Sequence, residues 1–199
     1  MPRRQHLILF IRAPQLGVGK RRLARDIGDT AAQHFERLML SRLFRRLAHD
    51  PRWQIRVVVT PDQARHRRRL WPCGVPVVGQ GAGDLGARMR RALASCPPGP
   101  AVLVGSDIPN MRSAHVAAAL RLLGDHDLVF GPTVDGGFWL VGARRCPRLP
   151  PLFGPVRWSS PFALGDVLAN LGERFSVALA ARLADVDDGL SYRRYRPTA

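Results

Sequence analysis

Three short segments carry side chains whose types and spacing suit chemistry on a phosphate. The first runs Arg12-Ala13-Pro14-Gln15-Leu16-Gly17-Val18-Gly19-Lys20-Arg21-Arg22-Leu23. Its glycines let backbone N–H groups approach an anion, and a helix starting after it would favour negative charge. Lys20 adds a point charge, while Arg12 and Arg22 add forked donors, a set that suits a diphosphate. A basic surface turn is the plainer reading of the same residues. The second segment is Ala101-Val102-Leu103-Val104-Gly105-Ser106-Asp107-Ile108-Pro109. An aspartate at the end of a buried strand sits where a hard cation could bridge it to phosphate oxygens. The third is Gly131-Pro132-Thr133-Val134-Asp135-Gly136-Gly137-Phe138-Trp139. Asp135 before two glycines reads equally well as hairpin chemistry and as an acid at the mouth of a site.

Two further stretches are weaker. Gly81-Ala82-Gly83-Asp84-Leu85-Gly86 opens a helix and could meet a base or sugar, or Asp84 could simply cap that helix. Asp185-Val186-Asp187-Asp188 could offer a second metal ligand or form a solvated acidic turn. Other chemistries find no support. A Walker P-loop fails where Pro14 replaces the first glycine and Arg21 the hydroxyl. The histidines lack metal spacing, and Cys73, Cys96 and Cys146 form no CxxC pair, as expected of free thiols in a reducing compartment.

Composition sets the scale. The chain has 199 residues with 31 basic and 15 acidic side chains, a net charge of +16. Lys20 is its one lysine, and Glu36 and Glu173 are its only glutamates. At 46% hydrophobic it can bury a full core and is not disordered. Residues 1–91 hold 20 basic and 6 acidic side chains, which raises a nucleic-acid-binding alternative. The densest run, Arg65-His66-Arg67-Arg68-Arg69, has no interleaved aromatic platform, so a nucleic-acid partner is not expected. The early apolar run Leu7–Ile11 stops at Arg12, too short for a membrane span or signal core, so no membrane partner and a cytoplasmic location are expected.

The elements that must hold these segments alternate between short apolar strands and helical stretches, which predicts an α/β layer fold with a mostly parallel sheet. Strands are expected at Leu7–Ile11, Ile55–Thr60, Val75–Val78, Ala101–Val104, Leu128–Phe130, Phe138–Val141 and Val177–Leu179. A helix capped by Asp29 or Thr30 should run to about Ala48 with Phe35, Leu38, Met39, Leu43 and Leu47 on its core face. Further helices are expected across the arginine-rich run, from about Leu85 to Ala94, and from about Ala114 to Leu123. Pro97–Pro100 and Pro147–Pro151 read as tight connections.

Taken in order, Phe10-Ile11-Arg12-Ala13-Pro14…Gly17…Lys20…Arg22-Leu23, Gly83-Asp84-Leu85-Gly86…Arg88-Met89, Gly105-Ser106-Asp107-Ile108-Pro109, Asp135-Gly136-Gly137, Trp158-Ser159-Ser160-Pro161 and Asp185-Val186-Asp187 resemble a bacterial family of glycosyltransferases, some linked to arsenosugar biosynthesis. More distantly the chain is similar to guanylyltransferases that build molybdenum or deazaflavin cofactors. The resemblance implies a single domain over residues 1–199 with the three-layer, Rossmann-like GT-A fold of nucleotide-diphospho-sugar transferases. It further implies nucleotide binding by Arg12, Pro14, Gly17, Lys20, Arg22, Gly83, Asp84, Leu85 and Gly86, a Mg²⁺ or Mn²⁺ on Asp107 and Asp187, and Asp135 facing sugar or acceptor. Arg21 and Arg12 stand where relatives carry Thr or Ser and Lys, and Asp188-Gly189 replaces their Thr-Pro. The expected activity is metal-dependent transfer of a sugar from a nucleotide-diphosphate sugar to a small-molecule acceptor, with Asp135 as base. The alternative is a nucleotidyltransferase of the same fold that takes a nucleoside triphosphate and releases pyrophosphate.

Overall fold

The computed structural model describes residues 4–145 and 149–195. Seven strands form one sheet in the order β3-β2-β1-β4-β6-β5-β7. They are β1 (Gln5–Arg12), β2 (Trp53–Thr60), β3 (Val77–Gly79), β4 (Ala101–Val104), β5 (Leu128–Pro132), β6 (Phe138–Ala143) and β7 (Val177–Leu179). The helices are α1 (Arg21–Ile27), α2 (Asp29–Leu47), α3 (Leu85–Ala94), α4 (Ser113–Leu122), α5 (Ala163–Leu171) and α6 (Gly189–Tyr195). Only β6 runs antiparallel to its neighbours, β4 and β5. The mostly parallel sheet between helical layers is the expected three-layer fold.

Both faces of the sheet are covered, which is why β4 is apolar throughout and β1 is apolar from Leu7 to Ile11. One layer packs Leu40, Leu43 and Leu47 of α2 and Val116, Ala119 and Leu120 of α4 on Leu7, Leu9, Val57, Val102 and Val104. The other packs Met89 and Leu93 of α3 and Val167 and Leu171 of α5 on Ile8, Val58, Leu103, Phe130 and Val141. A third, small cluster of Leu23, Ala32, Phe35, Met39 and Val186, flanked by Tyr192 and Tyr195, joins α1, α2 and α6. It ties the segment after Lys20 to the segment before Asp187.

Several expectations needed correction. The arginine-rich run forms two short 3-10 turns, Asp62–His66 and Arg68–Leu70, instead of a helix. It lacks an apolar stripe, and its anchors are Ala64 and Trp71, whose indole N–H donates to the Ala64 carbonyl at 2.9 Å. In α2, Phe35, Met39, Leu43 and Leu47 are buried as expected, but Leu38 is 38% exposed, and Leu40 packs against the sheet with Leu43 and Leu47. Gly28 precedes α2 and the helix has no side-chain cap, so neither Asp29 nor Thr30 serves as one. α5 and α6 were not foreseen. The Pro97–Pro100 connection carries no helix or strand; Cys146, Pro147 and Arg148 lie outside the described residues.

Candidate functional site

β1 lies between β2 and β4, and successive connections leave it toward opposite sides of the sheet, which opens a crevice at the carboxyl ends of these strands. Four segments meet there. The 12–20 loop leaves β1, Gly105–Asp107 leaves β4, and the 183–187 segment follows β7. The fourth, Asp135–Gly137, precedes β6; because β6 is antiparallel, its first residues lie beside the end of β4, with the Gly105 N–H donating to the Trp139 carbonyl at 3.2 Å. A cleft of about 440 Å³ results, and Arg12, Pro14, Lys20, Arg22, Leu85, Asp107 and Asp187 all line it.

Lys20 is the hub of this cleft. Its ammonium donates to Asp187 Oδ1 at 2.7 Å and to the Val186 carbonyl at 2.6 Å, and stands 3.8 Å from Asp107 Oδ2. Arg22 holds the other oxygen of Asp187 at 2.9 Å. The Val186 N–H donates to the Asp107 carbonyl at 3.2 Å, which fixes the two acidic segments to each other. Burial works against the Lys20 charge, but Asp107 and then Asp187 outweigh it and raise its pKa. Burial likewise disfavours the Asp187 carboxylate, and Lys20 with Arg22 reverses this and holds it below its ordinary value. Lys20 also adopts a left-handed backbone, φ 28°, rare for a residue with a side chain. Before it, Gly19 has φ 89°, and a Cβ there would stand 2.8 Å from Glu36 Oε1, so the loop passes where only glycine fits.

Glu36, reaching in from α2, is a site carboxyl that sequence reasoning did not single out, and Asp185, noted only as part of the late acidic cluster, joins it. Burial pushes Glu36 up to about 7, against the pull of Lys20 and Arg12. Burial, then Asp135, Asp187 and Asp107, push Asp185 up to about 6. Both hold their protons more tightly in the folded chain. Their stabilising contribution is therefore full below the ordinary carboxylate values and is lost as pH rises through about 6 to 7. The Glu36→Gln, Asp185→Asn double variant should gain thermal stability relative to the parent as pH rises from about 5 to about 8. Melting curves at both pH values check this, and an unchanged difference would refute it. The rarity of glutamate in this chain was the one available signal for Glu36.

The remaining expected residues are placed differently. Gly17 is exposed in the loop turn, where the Val18 N–H donates to Gln15 at 3.1 Å. Gly83 and Asp84 lie at the start of α3, and Asp84 accepts the Ala87 N–H at 2.7 Å as a helix cap. Gly86 is buried, with Phe153 and Trp158 each 2.9 Å from where its Cβ would be. None of these four glycines and aspartates lines the 440 Å³ cleft. Gln80 and Arg88 do, and Arg88 donates to Gln80 Oε1 at 3.0 Å. Asp84→Ala should lower stability by about 1 kcal/mol, the usual cost of a lost cap, and leave ligand affinity in the cleft unchanged. Urea unfolding beside a binding titration separates the two effects.

Asp135 makes the contacts of a turn and also borders a cavity. It accepts the Thr133 hydroxyl at 2.5 Å and the Gly137 N–H at 3.1 Å, which is turn chemistry. It also lines an adjoining chamber of about 530 Å³ with Asp107, Asp185, Phe10, Phe138 and Trp158. Among the described residues no three His, Cys, Asp or Glu side chains form a ready-made metal cage. Asp107 and Asp187 facing one ammonium are instead two hard oxygen donors around a shared cation position. That partial set fits Mg²⁺ or Mn²⁺ completed by phosphate oxygens and water.

A family model described as an uncharacterized protein conserved in bacteria, DUF2064, matches residues 43–160. The chain belongs to DUF2064. Asp107 and Asp135 of this DUF2064 chain fall inside the matched stretch, and Arg12, Lys20, Arg22 and Asp187 outside it. No curated protein matches in sequence. Among solved structures, a candidate nucleotide-diphospho-sugar transferase from Desulfovibrio desulfuricans G20 is 26% identical, with TM-score 0.86 over 98% of this chain and 89% of that one. A CMP:2-keto-3-deoxy-manno-octonic acid synthetase complexed with CTP is 11% identical, with TM-score 0.59 over 98% and 97%. Glucosyl-3-phosphoglycerate synthase from Mycobacterium tuberculosis, bound to Mg²⁺ and UDP, is 13% identical, with TM-score 0.56 over 96% and 74%. The DUF2064 chain thus has the nucleotide-diphospho-sugar transferase fold. Among its described residues, no helix is long and apolar enough to cross a membrane.

Proposed function

We propose that this chain is a metal-dependent glycosyltransferase that moves a sugar from a nucleotide-diphosphate sugar to a small acceptor. The observation that carries the reading is the convergence of Lys20 and Arg22 on Asp107 and Asp187 at the strand ends, in one cleft with Arg12. Asp107 and Asp187 would hold Mg²⁺ or Mn²⁺, which supplies charge neutralisation of the diphosphate when bound. Arg12, Lys20 and Arg22 bind the phosphates and share the charge that builds on the leaving group. The sugar would occupy the chamber beside Phe10, Phe138 and Trp158. Asp135 is positioned to take the proton of an acceptor hydroxyl. The motif order shared with arsenosugar-linked glycosyltransferases and the likeness to the Desulfovibrio protein support the same class.

A nucleotidyltransferase reading is favoured by the fold of the CTP-bound synthetase, which is covered almost end to end. In that reaction a phosphate monoester attacks the α-phosphorus and pyrophosphate leaves. Incubation of the chain with nucleotide sugars and, separately, with nucleoside triphosphates, each with Mg²⁺ or Mn²⁺, distinguishes the two. Nucleoside diphosphate release supports sugar transfer, pyrophosphate release supports the second reading, and absence of binding or turnover with either panel refutes both.

A further inference from the structure

On the far side of Asp187 from the phosphate cleft lies a groove of about 1050 Å³ that no sequence motif pointed to. Arg42, Arg45 and Arg46 line it from one face of α2, Arg194 from α6 and Arg22 from α1. Four acids also line it: Asp135, Asp185 and Asp187, which are shared with the proposed reaction chamber, and Asp188, which accepts the Ser191 N–H and hydroxyl at the start of α6. Among the described residues, Arg42, Arg45, Arg46 and Arg194 have no carboxylate partner, and the groove's one arginine–carboxylate pair is Arg22–Asp187. Arg46 instead donates to the Pro109 and Met111 carbonyls at 2.6 and 2.8 Å, and Arg42 donates to the Tyr195 hydroxyl. These bonds preorganise two guanidinium groups and tie the cationic wall to the segment that follows Asp107.

We propose that this groove binds the acceptor, and that the acceptor is a small molecule carrying a phosphate monoester. A planar guanidinium matches a phosphate with two parallel donors, and several on one concave wall hold a dianion in a fixed orientation. The distribution of charge sets the direction of binding: the phosphate lies against Arg45 and Arg194, and the rest of the molecule reaches Asp135. A duplex would be repelled by Asp135, Asp185 and Asp187, which a small molecule approaches with its hydroxyl. The inference rests on the transferase reading for the word acceptor, and on the arginine groove alone for the phosphate.

The test is a ³¹P NMR titration of glycerol 3-phosphate into the full chain, with glycerol as the neutral control observed by proton saturation transfer. Glycerol 3-phosphate is expected to bind and glycerol not to. Arg45→Ser with Arg194→Ser should weaken binding at least tenfold. Arg67→Ser with Arg69→Ser, on the exposed 3-10 turns, removes the same charge and should have no comparable effect. Equal losses in the two double variants would reduce the result to net charge and overturn the proposal. So would tighter binding of a twelve-base-pair duplex through the same arginines. Nucleotide binding with Mn²⁺, measured on the Arg45→Ser, Arg194→Ser variant, should be retained. Its absence in the parent as well would defeat the transferase reading, with the phosphate site judged on its own titration.

Discussion

Lys20→Ala is expected to lower transferase turnover by about 10²- to 10³-fold, the usual effect of removing one preorganised group aimed at developing charge. Its effect on the resting fold should be as informative. The Lys20 side chain is 11% exposed and stands between two carboxylates, so its loss leaves Asp107 without its cation and Asp187 with Arg22 alone. Breaking a fully buried pair costs about 3 to 5 kcal/mol, and solvent at the two aspartates reduces that here. A divalent cation bound to the same carboxylates would replace the missing charge. Mn²⁺ should therefore raise the melting temperature of Lys20→Ala more than that of the parent, and an equal shift would refute a shared cation position. Lys20→Arg should lose most of the activity too. A single ammonium reaches Asp187 Oδ1 and the Val186 carbonyl from one point, which a planar fork on a different stem does not reproduce.

Asp107→Asn should give the other large loss, about 10³-fold in kcat/KM, by weakening the ligation that joins metal to diphosphate. Here stability and activity should part. Lys20 keeps its 2.7 Å partner Asp187, and Asp185 loses one of the carboxylates that disfavour its charge. The metal-free variant should melt within a few degrees of the parent, while the Mn²⁺-dependent shift disappears. Thermal melts with and without Mn²⁺, beside steady-state kinetics, check both halves. A full Mn²⁺ shift in Asp107→Asn would remove Asp107 from the metal site.

Much of the frame was legible before any coordinates. The β7 strand and the Leu85–Ala94 helix stand at the expected bounds, and β4 is buried as its composition required. Such segments declare themselves because their own side chains decide their burial. The arginine-rich run did not, since a stretch with so few apolar anchors takes its shape from what it connects. The core face of α2 was read correctly at Phe35, Met39, Leu43 and Leu47; Leu38 alone was misplaced, and Leu40 packs in the layer against the sheet instead.

The sequence alone determined the layer fold, the basic, glycine-bearing loop after the first strand and the presence of an acid after a buried strand. Its single lysine already stood out in a chain that otherwise uses arginine. The partners of that lysine were decided only by the tertiary structure. Lys20 and Asp187 are 167 residues apart, and their meeting depends on the third cluster packing Leu23 against Val186. Local pattern records which face of an element is apolar. It does not record which strand ends a sheet will bring side by side, and the candidate site is built from that adjacency.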